Sequence, residues 1–212
     1  MMGLAVRAFR RLPPRLGALH AADILTARTR ELRQVPRVPR AFEVRPAGEG
    51  DGPLLAQFFA RSGQSPRTPS TEDACVMAVG DGAVQALEWV RWGPSEYVED
   101  APRLGVRFAF PARSCWLHNG RNLESDGLGP WGMVMGRLRP YLEERGVDRV
   151  FLQVSADNAY SAACHASLGF RRLGTVASLR LLRGRVVGLR RAGHGWSGVG
   201  EGPLDLGRLV EG

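Results

Sequence analysis

The sequence predicts an α/β or α+β domain built on a mixed sheet, and three observations predict it. Between residues 42 and 191 the hydrophobic period switches repeatedly between that of a strand and that of a helix. A Gly-Asp-Gly turn at 80–82 joins two apolar runs, as in a β-hairpin. The run DRVFLQVS (148–155) is almost continuously apolar and is followed by a helical pattern that a glycine stops.

The elements follow in order. FEVRPA (42–47) alternates like a strand, and a Gly-Asp-Gly-Pro turn leads into LLAQFFARSG (54–63), a helix that Gly63 caps. DACVMAVG (73–80) and AVQALEWVRWG (83–93) are the two arms of the hairpin. ARSCWLHNGRNL (112–123) predicts a third long strand. After glycines 127, 129 and 132, MVMGRLRPYLEERG (133–146) has a helical apolar face, with Pro140 predicting a kink or break and Gly146 closing it. The strand at 148–155, a short helix over NAYSAACHASLG (158–169) and a strand over FRRLGTVASLRLL (170–182) complete the pattern.

Residues outside 42–191 are expected to be additions to this domain. Residues 1–41 form an Arg-rich extension, with one helix predicted over ALHAADILTARTREL (18–32) between Pro13-Pro14 and Pro36/Pro39. Residues 192–212 contain seven glycines and no clear period, which predicts a flexible or loosely docked tail.

Charge and cysteine content narrow the function classes. The formal charge is +8, and all 29 basic residues are Arg, a usage expected of a GC-rich, bacterial genome. Residues 1–41 carry nine Arg against two acids and 171–191 seven Arg with none, whereas 42–170 carry twelve Arg against sixteen acids. A mildly acidic middle argues against a nucleic-acid groove across the body, so no nucleic-acid partner is expected. Cys75, Cys115 and Cys164 are far apart and form no C-x-x-C pair, so neither a disulfide framework nor a metal site is predicted. No apolar run is long enough to span a bilayer, and a cytoplasmic location is expected. The Arg-rich start resembles the composition of a mitochondrial transit peptide but contains no Ser.

The most specific passage is FLQVSADNAYSAACHASLGFRRLG (151–174). After a buried strand it places Asn158, the small Ser161 three residues on, the apolar Cys164 at six, His165 at seven, and Gly169-Phe170 at eleven and twelve. This spacing resembles the last strand–helix–strand unit of the GNAT superfamily of acyl-CoA-dependent N-acyltransferases. The family usually has Tyr where His165 stands, and the Ser-then-His version is similar to the phosphinothricin-type acetyltransferases. The resemblance implies a mostly antiparallel central sheet flanked by helices, acetyl-CoA as acyl donor, an amine of a small molecule or protein as acceptor, and no metal. It is compatible with a homodimer. It covers 42–191 and leaves both ends unexplained.

By the same resemblance, Leu123, Gly127, Leu128, Gly129, Trp131 and Gly132 occupy the place of the pyrophosphate-binding loop and helix start, where backbone N–H groups and the helix dipole attract an anion. Asn158, Ser161 and His165 take the positions that line the pantetheine arm. The family begins its loop with Gln or Arg, whereas here Asp126 in one register or Glu124 in the other stands there. An exposed, screened carboxylate near a pyrophosphate costs on the order of 1 kcal/mol, about a fivefold to tenfold loss of affinity.

Direct transfer needs a base for the incoming amine and a proton or charge stabilisation for the departing thiolate. His165, near the expected cofactor sulfur, is the candidate acid, with packing against the pantetheine arm as its other reading. His118 on the third long strand is the candidate base, or a hydrogen-bonded strand histidine. Glu88 is a second base candidate but reads as a solvent-facing strand residue. Trp89, Trp92, Tyr97, Phe108 and Phe110 fit either an acceptor pocket or the core. The competing function is a GNAT-fold binding module that has lost catalysis, suggested by the acidic loop and the absent tyrosine.

Overall fold

Residues 18–28, expected to be helical, form an interior strand of the main sheet. The computed structural model describes residues 18–34, 39–98, 104–123, 129–181, 184–191, 194–199 and 202–211. Strand β1 (Ala18–Arg28) lies between β8 (Arg149–Ser155) and β9 (Arg171–Leu181), antiparallel to both. Its side chains alternate between two cores: Leu25 and Ala27 join one, Ala22 and Ile24 the other. A strand buried on both faces reads as a nearly unbroken apolar run, and its alanines imitate a helix. Two hydrogen-bonded neighbours outweigh that local preference, so this segment is part of the sheet and not an outer arm.

The other elements are β2 (Phe42–Pro46), α1 (Gly52–Ser62), β3 (Asp73–Gly80), β4 (Ala83–Trp92), β5 (Ser95–Val98), β6 (Arg107–Phe110), β7 (Ser114–Asn122), α2 (Gly129–Glu144), α3 (Ala159–Ser167), β10 (Gly184–Arg191), β11 (Trp196–Gly198), β12 (Leu204–Asp205) and α4 (Leu206–Glu211). Among the described residues the main sheet runs β11-β10-β9-β1-β8-β7-β4-β3-β2, and a smaller sheet runs β12-β6-β5. Every neighbouring pair of the main sheet is antiparallel except β7 and β8. The fold class is therefore the expected one, a mixed, mostly antiparallel sheet flanked by helices.

Alternation along the strands sends residues to two faces. On one, Ala86, Val90, Leu117, Val150 and Leu152 meet Val134, Leu138 and Leu142 of α2. On the other, Leu55, Phe58 and Phe59 of α1 cover Met77, Leu87 and Trp89. The smaller sheet covers the rest of that face, with Tyr97 and Phe108 stacked on Trp116 at 5.0 Å each. Tyr97, Phe108 and Phe110 thus belong to the core.

Helix α2 begins at Gly129, earlier than its apolar face suggests, and passes through Pro140 without ending. Proline removes a bond to the carbonyl four residues back, here that of Gly136, a residue with no side chain. The tail docks where it is described: β11 pairs with β10, β12 runs parallel to β6, and Leu206 is fully buried.

Candidate active site

The parallel pair β7–β8 is where the sheet opens. Pairing runs from Ser114–Arg149 to Leu117–Leu152 and stops there, although β7 stays paired with β4 to Asn122 and β8 with β1 to Ser155. A cleft of about 930 Å³ occupies the gap, walled by β7, by Leu152 and Gln153 of β8, by the start of α2 and by α3.

A bulge shapes one wall. Leu87 pairs with Arg121 and Trp89 with His118, so Asn119 and Gly120 together face Glu88. Asn119 takes the left-handed conformation (φ 54°) that the extra residue requires. A Cβ on Gly120 would lie 2.0 Å from Glu88 Oε2 and 2.7 Å from Trp131 Nε1, so only glycine leaves room for these two groups. Trp131 Nε1–H donates to Glu88 Oε2 at 2.7 Å. Glu88 is only 3% exposed, contrary to its solvent-facing expectation, because α2 covers that face of β4. Burial pushes its carboxyl up to about 8, against the smaller opposing effect of the Trp131 bond.

Helix α3 supplies the opposite wall. Asn158 Oδ1 accepts from the Ser161 backbone N–H at 2.9 Å, the N-cap bond expected from its position. His165 is buried, with its ring edge-on to Trp131 at 5.0 Å and to Phe170 at 5.6 Å. Its Nδ1 lies 2.8 Å from the Ser161 carbonyl oxygen, which can only accept, so Nδ1 carries the proton and Nε2 the lone pair in the neutral ring. Burial lowers the pKa of His165, and the Ser161 bond offsets only part of this.

The other face of β7 carries a second polar group. His118, also buried, sits with Nε2 3.2 Å from Asp73 Oδ1, while Arg91 donates to both oxygens of Asp73. Asn119 Nδ2 donates to His118 Nδ1 at 3.0 Å. The ring is therefore the tautomer with its proton on Nε2 and its lone pair on Nδ1. Burial lowers the pKa of His118, and the Asp73 carboxylate only partly offsets it. Burial alone would raise Asp73, but its bonds to His118 and Arg91 outweigh this and hold it well below the usual carboxylate range.

No protein-family model and no curated protein matches the sequence. Solved structures do. A GNAT-family protein from Novosphingobium aromaticivorans aligns with TM-score 0.51 and 16% identity, over 82% of this chain and 65% of that one. A GCN5-related N-acetyltransferase from Kribbella flavida gives 0.52 and 16%, over 77% and 58%. Another, from Sphaerobacter thermophilus, gives 0.51 and 13%, over 82% and 62%. The fold is the GNAT fold. This chain spans less than two thirds of the length of each of these three.

On this GNAT fold, the cleft brings together His118, Leu123, Trp131, Asn158, Ser161 and His165. Gly129 and Gly132 lie in the first turn of α2, where the Trp131 backbone N–H is taken by Asn122 Oδ1 at 2.6 Å. Gly127 and Leu128, and with them the acids Glu124 and Asp126, lie outside the described residues. Sequence reasoning missed Asp73 and Arg91 and misplaced Glu88. The available signal was a single charge in the middle of the apolar strand ALEWV, facing the Asn-Gly pair that makes the bulge.

Proposed function

We propose that this chain is an acyl-CoA-dependent N-acetyltransferase that passes the acetyl group of acetyl-CoA directly to an amine of a small molecule or protein. The parting of β7 from β8 carries this reading. It opens a cleft through the sheet beside the N-terminal turn of α2, where the helix dipole favours an anion such as a pyrophosphate. The capped start of α3 faces the cleft with Asn158, Ser161 and His165, the residues assigned to the pantetheine arm.

The reaction then divides between the two faces of β7. As the amine nitrogen bonds the thioester carbon, it sheds a proton to His118 Nδ1, with the Asn119 amide giving way to the substrate. Asp73 holds the tautomer that puts the lone pair on Nδ1, and Arg91 keeps Asp73 ionised. The C–S bond breaks and the sulfur leaves with its electron pair. Glu88, protonated at neutral pH and standing at the bulge, gives that sulfur a proton. Of the two readings of His165, the acid role needs the imidazolium that burial disfavours, which favours packing. Here it walls the cleft with Trp131 and Phe170.

The test is a thermal melt with acetyl-CoA followed by thiol release across a panel of amines. Ligand at one hundred times its dissociation constant stabilises by about 2.7 kcal/mol. No shift at millimolar acetyl-CoA overturns the reading. A shift with no thiol release from any amine replaces it with the catalytically silent binding module.

A further inference from the structure

At the opposite end of β8 from the cleft lies a second cavity of about 450 Å³, formed by the end of β1, the 3-10 turn Thr29–Glu31 and the end of α2. Thr29 Oγ1 and Arg149 Nη1, both lining residues, are buried atoms with no protein hydrogen-bond partner among the described residues. Thr29 is 2% exposed. Buried polar atoms are nearly always satisfied, so two orphans lining one cavity need a common explanation.

The surrounding charge says what kind of group would satisfy them. Arg28 and Arg30 also line the cavity, and Arg28 stands directly across the strand pair from Arg149. Like charges directly opposite each other in a sheet are destabilising unless something neutralises them. The two acids on the rim are engaged elsewhere: Glu143 with Arg139 at 2.8 Å, and Asp148 with Arg113 at 2.8 and 2.9 Å. Glu31 accepts from the Arg28 backbone N–H. Burial and then the charges of Arg171 and Arg28 lower the pKa of Arg149, and Glu31 only partly opposes them.

We propose that this cavity is a phosphoryl-binding site, separate from the cofactor cleft, in which the Arg149 guanidinium and the Thr29 hydroxyl donate to the oxygens of a phosphate group and Arg28 and Arg30 flank it. Guanidinium forks suit phosphate oxygens, and the concave shape suits a phosphate or its small-molecule monoester better than a polymer backbone. The site stands on its own residues and does not depend on acyl transfer.

The experiment is calorimetric titration of the full chain with inorganic phosphate and with glucose 6-phosphate, at constant ionic strength in chloride, with and without saturating CoA. Wild-type protein is expected to bind phosphate in both conditions. Thr29→Val, which keeps the side-chain volume, and Arg149→Gln should each weaken it about tenfold or more. If Arg149→Gln fails to fold, the exposed Arg30→Gln paired with Thr29→Val decides the same point. Tighter binding of the monoester than of phosphate identifies an esterified ligand, and equal binding the free ion. No binding, binding abolished by CoA, or binding unchanged in these variants overturns the proposal. So does a preference for an oligonucleotide added in competition.

Discussion

Ionising Glu88 means placing a negative charge in a site that α2 has sealed from water, and this has consequences for both stability and rate. Its carboxyl titrates near 8 in the folded chain against an ordinary 4.5. Between these values the unfolded chain has already lost the proton that the folded chain keeps. The stabilisation is thus complete below about 4.5 and is lost as pH rises through 8, at up to about 1.4 kcal/mol per pH unit. Glu88→Gln keeps an acceptor for Trp131 and is expected to flatten this slope, raising the melting temperature at pH 8 and above. Denaturant melts across pH check it. For turnover, the proposed roles predict a bell-shaped profile that rises below the ordinary imidazole value of 6.5 and falls near 8. Glu88→Gln should remove the falling limb. Asp73→Asn should move the rising limb lower, since Asp73 raises the pKa of His118, and His118→Gln should cost about 10²-fold to 10⁴-fold in kcat.

Elements meet at two glycines that no other residue replaces without displacing something. At Gly120, an added methyl would push into Glu88 and Trp131, not into backbone. Gly120→Ala should therefore break the buried Glu88–Trp131 bond and lower stability by about 1–3 kcal/mol, read as a lower melting temperature together with changed tryptophan fluorescence and weaker acetyl-CoA binding. At Gly169 the conflict is with backbone: φ is 101°, and a Cβ would lie 2.5 Å from the Glu31 carbonyl oxygen. There the turn after α3 passes against the segment following β1, and Arg33 N–H bonds the Leu168 carbonyl at 3.0 Å. Gly169→Ala is expected to destabilise the fold by about 1–3 kcal/mol through positive-φ strain and this close approach, measurable as a shift in the urea midpoint. The glycine of the sequence motif thus has a physical purpose, which is to let the chain turn tightly after α3 against the segment that follows β1.

For the molecule as a whole, β1 joins the two halves of the sheet. Without it, β8 and β9 would each have an unpaired edge, and the core residues Ile24, Leu25 and Ala27 would be absent. A chain that starts after residue 34 is expected to lose cooperative unfolding, as followed by calorimetry. Ile24→Ala, a milder version of the same loss, should cost about 2–5 kcal/mol. Survival of the shortened chain with an unchanged melt would show that residues 18–34 are an accessory after all.

Local signals determined a good deal of this protein from sequence alone. The Asp-Gly turn, the helix that Gly63 stops and the Asn158-to-Phe170 spacing are all written within a dozen or so neighbouring residues, where backbone preference and capping act. From these the hairpin β3–β4, helices α1 and α3 and the resemblance to the GNAT fold were legible. Tertiary structure alone decided what depends on partners distant in the chain. Residues 18–28 are a strand only because β8 and β9 bond both edges, and no local preference records that. His118 and Asp73 are 45 residues apart, and Glu88 and Trp131 are 43 apart. Whether a histidine is oriented by a carboxylate, or a glutamate loses its water to a covering helix, is settled by burial and by the electrostatics of the groups brought together. Both exist only once the sheet has assembled.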